Sequence, residues 1–60
     1  MNIPSEPNIL LSFINLKLRD TYSSLDELID DLDLDPVEIK EALEKAKIVY
    51  DEDLNQLKFK

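Results

Sequence analysis

The chain predicts a mainly α domain in which three helices are followed by a C-terminal β-hairpin, and three observations carry that expectation. Ser24 and Glu27 stand at the spacing of a capping box, directly before Leu25, Leu28, Ile29 and Leu32, which recur at helical period. Asp35, Pro36 and Glu38 repeat the start signal, with an aspartate cap, a proline at the first helical position and a glutamate at the third. After Lys47 the apolar period switches from helical to alternating, through Ile48 and Tyr50 and then Leu57 and Phe59, as paired strands require.

Residues 1–4 read as a short arm, with Ile3 placed to staple the start of a first helix over 6–20. Ser5, Glu6 and Pro7 open that helix, and Lys17 and Arg19 complement the carbonyl end of its dipole. Leu10, Leu11, Ile14 and Leu18 form one apolar stripe on it, while Ile9, Phe13 and Leu16 form a second. Only Asn8, Ser12, Asn15 and Arg19 share a polar arc. One buried face does not account for so much apolar surface, so the second stripe should meet either the C-terminal strands or another chain.

Tyr22 in the first connection should pack its ring on the core and leave its hydroxyl in water. The second helix, 25–32, closes in Asp30, Asp31 and Asp33, the wrong charge for a helix C-terminus. With no glycine in the chain, Asp33 or a neighbour must take the left-handed turn that follows, sending Leu34 inward. The third helix, 36–47, turns Ile39, Ala42, Leu43 and Ala46 inward and Glu38, Glu41, Glu44 and Lys45 outward, with Glu41 and Lys45 spaced for an ion pair. The hairpin then pairs Ile48–Asp51 with Gln56–Phe59, in the register that sets Ile48 against Phe59, Val49 against Lys58 and Tyr50 against Leu57. Its loop lies near Glu52–Asn55, where Asn55 suits a left-handed position. Three helices with a two-stranded wing make a winged-helix-like, helix-turn-helix arrangement, a single domain over 1–60. Its expected core is Leu10, Ile14, Leu18, Leu25, Leu28, Ile29, Leu32, Ile39, Leu43, Ile48, Tyr50, Leu57 and Phe59.

Sixty residues lie near the low end of what buries enough apolar surface to fold without a disulfide or a metal, and the chain has no cysteine. The missing thiols fit a reducing cytoplasm. MNIPSEP carries no basic run and no apolar stretch is long enough for a signal peptide or a membrane span, so the expected location is cytoplasmic, away from membranes. Fourteen acidic residues against seven basic ones give a net charge of −7, which repels phosphate backbones and anionic lipid.

Without histidine or cysteine the chain lacks the usual base near neutral pH and any thiol nucleophile, which leaves carboxylates on solvated turns. No enzyme activity, catalytic residue or cofactor is expected. Asp31, Asp33 and Asp35 match the first three ligands of a calcium loop, but Pro36 replaces its glycine and Ala42 its bidentate glutamate, so no metal site is expected either. A DNA-binding helix-turn-helix is the alternative function, opposed by Glu38, Glu41 and Glu44 on the third helix and by Asp51, Glu52 and Asp53 at the wing tip. The leading expectation is a protein–protein interaction module that uses Ile9, Phe13 and Leu16, most simply as a homodimer. The alternative contact is a basic partner held by Asp30, Asp31, Asp33 and Glu38.

The strings PNILLSFINLKLRD at Pro7–Asp20, YSSLDELIDDLDLD at Tyr22–Asp35 and YDEDLNQLKF at Tyr50–Phe59 resemble a family of short bacterial proteins catalogued as domain of unknown function 4250. The likeness runs from Pro7 to Lys60. It implies a free-standing cytoplasmic bacterial domain and, because the family has no assigned activity, it implies no site residue.

Overall fold

A computed structural model describes residues 3–60. It contains α1 (Pro7–Asp20), α2 (Leu25–Asp31), α3 (Pro36–Lys45), β1 (Ile48–Asp51) and β2 (Gln56–Phe59), the two strands pairing antiparallel. This is the expected three-helix domain with a C-terminal wing. Of the N-terminal arm, Ile3 packs against the core, and residues 1 and 2 lie outside the described residues.

Local chemistry explains where the helices start. The cap of α1 is Glu6, not the neighbouring serine: its carboxylate accepts the Ile9 N–H at 2.9 Å, and Pro7 takes the first helical position. Ser24 caps α2 by accepting the Glu27 N–H at 3.1 Å. The other half of the expected capping box is diverted, because the Ser23 hydroxyl donates to the Glu27 carboxylate at 2.7 Å. Asp35 caps α3 through the Val37 N–H at 2.9 Å.

The helix ends correct two boundaries. α2 stops at Asp31, and Asp33 takes the left-handed conformation at φ 55°. The Leu34 N–H then returns to the Ile29 carbonyl at 2.9 Å and the Asp33 N–H to that of Asp30 at 3.2 Å, a Schellman closure without glycine. α3 stops at Lys45 instead of reaching Lys47, because Lys47 itself turns left-handed, at φ 59°, to redirect the chain into β1. The third left-handed residue is Asn55, at φ 51° in the wing.

Pairing follows the expected register: Ile48 faces Phe59, Val49 faces Lys58, Tyr50 faces Leu57 and Asp51 faces Gln56. Leu10, Ile14 and Leu18 of α1 meet Leu28 and Ile29 of α2, Ile39 and Leu43 of α3, and Ile48 and Leu57 of the hairpin in one buried cluster. Every buried member is aliphatic. Leu25, Leu32 and Tyr50 pack against this cluster half-buried instead of within it. Phe59 departs further from expectation: it closes β2 beyond the cluster and keeps 45% of its surface exposed. The expected pair of Glu41 with Lys45 does not form; among the described residues the ion pairs are Arg19 with Asp20 and Asp51 with Lys58.

Two asparagines fasten the wing to the helices. The Asn15 side chain accepts the Leu57 N–H at 2.6 Å and donates to the Leu57 carbonyl at 3.0 Å, so one amide pairs with the outer edge of β2 as a further strand would. Asn55 donates to the carbonyls of Leu18 at 3.2 Å and Tyr22 at 3.0 Å, and accepts the Tyr50 hydroxyl at 2.6 Å. Asn15→Ala, which strands both Leu57 backbone groups, should lower unfolding free energy by about 2–3 kcal/mol in urea titration. Leu28→Ala in the fully buried cluster should cost about 2–5 kcal/mol, enough to unfold a domain of this size. Two of the left-handed positions should respond oppositely to glycine. Lys47→Gly should stabilise by roughly 0.5–1 kcal/mol as the strain is relieved, whereas Asn55→Gly at similar φ should destabilise because its three tethers are lost.

Candidate functional site

Among the described residues, the outer face of α1 carries apolar surface without a cover. The hairpin docks on the Asn15 side of the helix, through Leu57, and not over the second stripe. Ile9 therefore stays 57% exposed and Leu16 50% exposed. Phe13 is divided: its ring packs partly on the core, and the Lys17 amine sits 5.8 Å from the ring centroid, within cation–π range. The structure thus leaves two of the three expected contact residues exposed and the third between surface and core.

Sequence reasoning missed one member of this face. Leu54 in the wing is 64% exposed and shares a shallow groove with Leu16, Asn15 and Arg19. Its only signal was an apolar residue within an otherwise polar loop. Arg19 is exposed and donates to Asp20 through Nε at 3.0 Å, which raises the guanidinium pKa and lowers that of Asp20. At the other end of the helix Glu6 is held below the usual carboxylate range, first by the Ile9 N–H and then by that of Asn8.

The acidic set is dispersed in use. Asp30, Asp31, Asp33 and Glu38 are all exposed. Asp31 accepts the Tyr22 hydroxyl, so that phenol is satisfied by a carboxylate and not left to water as expected, and its pKa is raised. Asp30 and Asp33 border a small cleft with Ile29, Leu34 and Pro36. Among the described residues no three acidic, histidine or cysteine side chains converge as a metal-binding group.

A broader groove of about 640 Å³ runs between the start of α2, α3 and β1, floored by Leu25, Leu43, Ile48 and Tyr50. Asp26, Glu44 and Glu52 alternate around it with Lys40 and Lys60, so it presents no field of one sign. At the wing tip Asp51 accepts the Leu54 N–H at 3.2 Å, the Asp53 N–H at 3.0 Å and the Lys58 ammonium at 3.2 Å. Its carboxyl is held below the ordinary range, chiefly by the Leu54 N–H.

These features define a small winged-helix-like domain with an acidic turn, an acidic wing and an uncovered apolar helix face. The chain belongs to the family whose model is described as Domain of unknown function (DUF4250), which matches residues 4–57. No curated protein and no solved structure matches it. Among the described residues no helix is long and apolar enough to cross a membrane.

A depressed carboxyl contributes stability above its unfolded pKa and loses it as pH falls through the folded value. Glu6, Asp20 and Asp51 all carry this sign. Urea midpoints should therefore fall below about pH 4, and Asp51→Asn should flatten part of that acid limb. Tyr22 carries the opposite sign, so its contribution is full below about pH 10 and lost as the phenol ionises.

Proposed function

We propose that this domain is a cytoplasmic, non-enzymatic protein–protein interaction module that self-associates through the outer face of α1, with Ile9 and Leu16 as its exposed anchors, Phe13 behind them and Leu54 beside them. The observation that carries this reading is the exposure of Ile9 and Leu16 on the one apolar stripe that the hairpin leaves open. A second copy is the simplest cover for such a face, and self-association would stabilise a small core by mass action. The absence of histidine and cysteine supports a non-enzymatic role, and the absence of cysteine also suits a reducing compartment.

Nucleic acid is the less favoured partner. Glu38, Glu41 and Glu44 lie on the exposed side of α3, and Asp51, Glu52 and Asp53 occupy the wing. The basic residues are set among acids: Arg19 is paired with Asp20 and Lys58 with Asp51, Lys40 and Lys60 share the α3–β1 groove with Asp26, Glu44 and Glu52, Lys17 lies over Phe13, and Lys45 lies in a separate cleft with Ser5 and Pro7. Fluorescence anisotropy with duplex DNA should show no salt-sensitive binding at micromolar protein; sub-micromolar binding would transfer the proposal to the helix-turn-helix alternative.

Sedimentation equilibrium tests the leading reading. The wild-type chain should associate at micromolar to high micromolar concentration, and Leu16→Glu should remain monomeric with an unchanged circular dichroism spectrum. Leu16 is the informative position because it is exposed, whereas a charge at half-buried Phe13 would disturb the core as well. A contact through Asp30, Asp31, Asp33 and Glu38 would instead need a basic partner and would weaken with salt.

A further inference from the structure

We propose that the second copy lies antiparallel along α1, with a two-fold axis crossing the helix between Ser12 and Phe13; this rests on the self-association reading above. Ile9, Ser12, Phe13 and Leu16 recur at the alternating three- and four-residue spacing of a helix–helix seam, and the set is symmetric about that crossing point. An antiparallel copy brings Ile9 against Leu16 of the partner subunit and Leu16 against Ile9 of the partner subunit. Ser12 is small and exposed at the crossing point, which lets the two backbones approach closely.

The charges at the two ends of the seam choose this direction. Glu6 is exposed at the N-terminal end and Arg19 at the C-terminal end. Antiparallel packing sets Glu6 opposite the end of the partner helix that carries Lys17 and the Asp20-paired Arg19 of the partner subunit, whereas parallel packing sets two glutamates side by side at one end and like cations at the other. Arg19 commits Nε and one terminal nitrogen to Asp20, so donors of its five-donor guanidinium remain for a second carboxylate. The Glu6 carboxylate likewise keeps lone pairs beyond those used by Ile9 and Asn8. Opposed helix dipoles add to the same preference.

Leu54 completes the surface. It sits beside Leu16 and Arg19, so the wing tip of one copy reaches the Ile9 end of the other and widens the contact beyond one helix stripe. An anionic lipid surface is the poorer cover for the same face, given a net charge of −7.

The chain has no cysteine, so Ser12→Cys and Thr21→Cys each accept a single spin label cleanly. In the antiparallel pair the Ser12 labels should lie close together, while the Thr21 labels should be separated by about 25 Å along the axis from the helical rise. Double electron–electron resonance reads both distances. Short distances at both sites would mean parallel packing and overturn the antiparallel arrangement while leaving self-association through α1 intact. Long distances at both sites in an associating chain would place the contact elsewhere and overturn both. A chain that sediments as a monomer without a label would remove the parent reading. If the Ser12 label blocks association that the unlabelled chain shows, the Thr21 distance decides alone, long supporting the arrangement and short overturning it.

Discussion

The attachment of the wing to the helical layer rests on the amides of Asn15 and Asn55. A two-stranded hairpin is marginal by itself, and this one contributes only Ile48 and Leu57 to the buried cluster. Without a third strand, the outer edge of β2 at Leu57 would expose a donor and an acceptor beside an apolar core. Asn15 satisfies both from the middle of α1, and Asn55 ties the wing to the carbonyls of Leu18 and Tyr22. The Tyr50 hydroxyl links the same network to α2, accepting the Leu25 N–H at 3.3 Å while donating to Asn55. The hydrogen-bonding capacity of two short polar side chains is thus used, at long range in sequence, to join the wing to α1 and the connection after it.

That dependence explains what could be read from the sequence. Helix starts at Ser24 and Asp35 were legible because capping chemistry is local, and the hairpin register was legible because the side-chain period of a strand is fixed at two. The asparagine tethers were not. Asn15 read as part of a solvated arc with Asn8, Ser12 and Arg19, since its partner lies 42 residues away and nothing local marks it. Asn55 was legible as a left-handed turn residue, but not as a tether to α1. Lys47 was missed because its left-handed turn is imposed by the path from α3 into β1, a tertiary demand overriding an ordinary preference. Phe59 was misplaced for a related reason: alternation says which face of a strand a residue occupies, but not how far the core extends along it. For the site, Ile9 and Leu16 were legible from the helical wheel, while Leu54 needed the wing to be folded back beside α1.

The three left-handed turns give the fold a particular energetic character. Asp33, Lys47 and Asn55 all do work that glycine does more cheaply, and the chain contains no glycine at all. Asn55 compensates with its hydrogen bonds, and the Asp33 turn is closed by Schellman bonds that join α2 to the approach of α3. Lys47 is held by its backbone: its N–H donates to the Glu44 carbonyl at 3.1 Å, its carbonyl accepts the Lys60 N–H at 2.9 Å, and the next residue, Ile48, is buried.

The helix-turn-helix geometry and the charge distribution point in different directions, and the difference separates fold from function. The positions by which such a fold grips phosphate carry Glu38, Glu41 and Glu44 on α3 and Asp51, Glu52 and Asp53 on the wing, while α1, ordinarily a supporting element, carries the exposed apolar residues. The proposed interface on α1 would also reconcile self-association with a net charge of −7, because Ile9, Ser12, Phe13 and Leu16 are uncharged. Repulsion between two acidic copies acts over the distance between their remaining carboxylates and is screened within about 8 Å at physiological ionic strength. Apolar contact at the seam is not screened. Added salt should therefore tighten such a pair overall, even though it weakens the Glu6–Arg19 contacts at the ends, a sign opposite to that expected for a basic partner or for DNA.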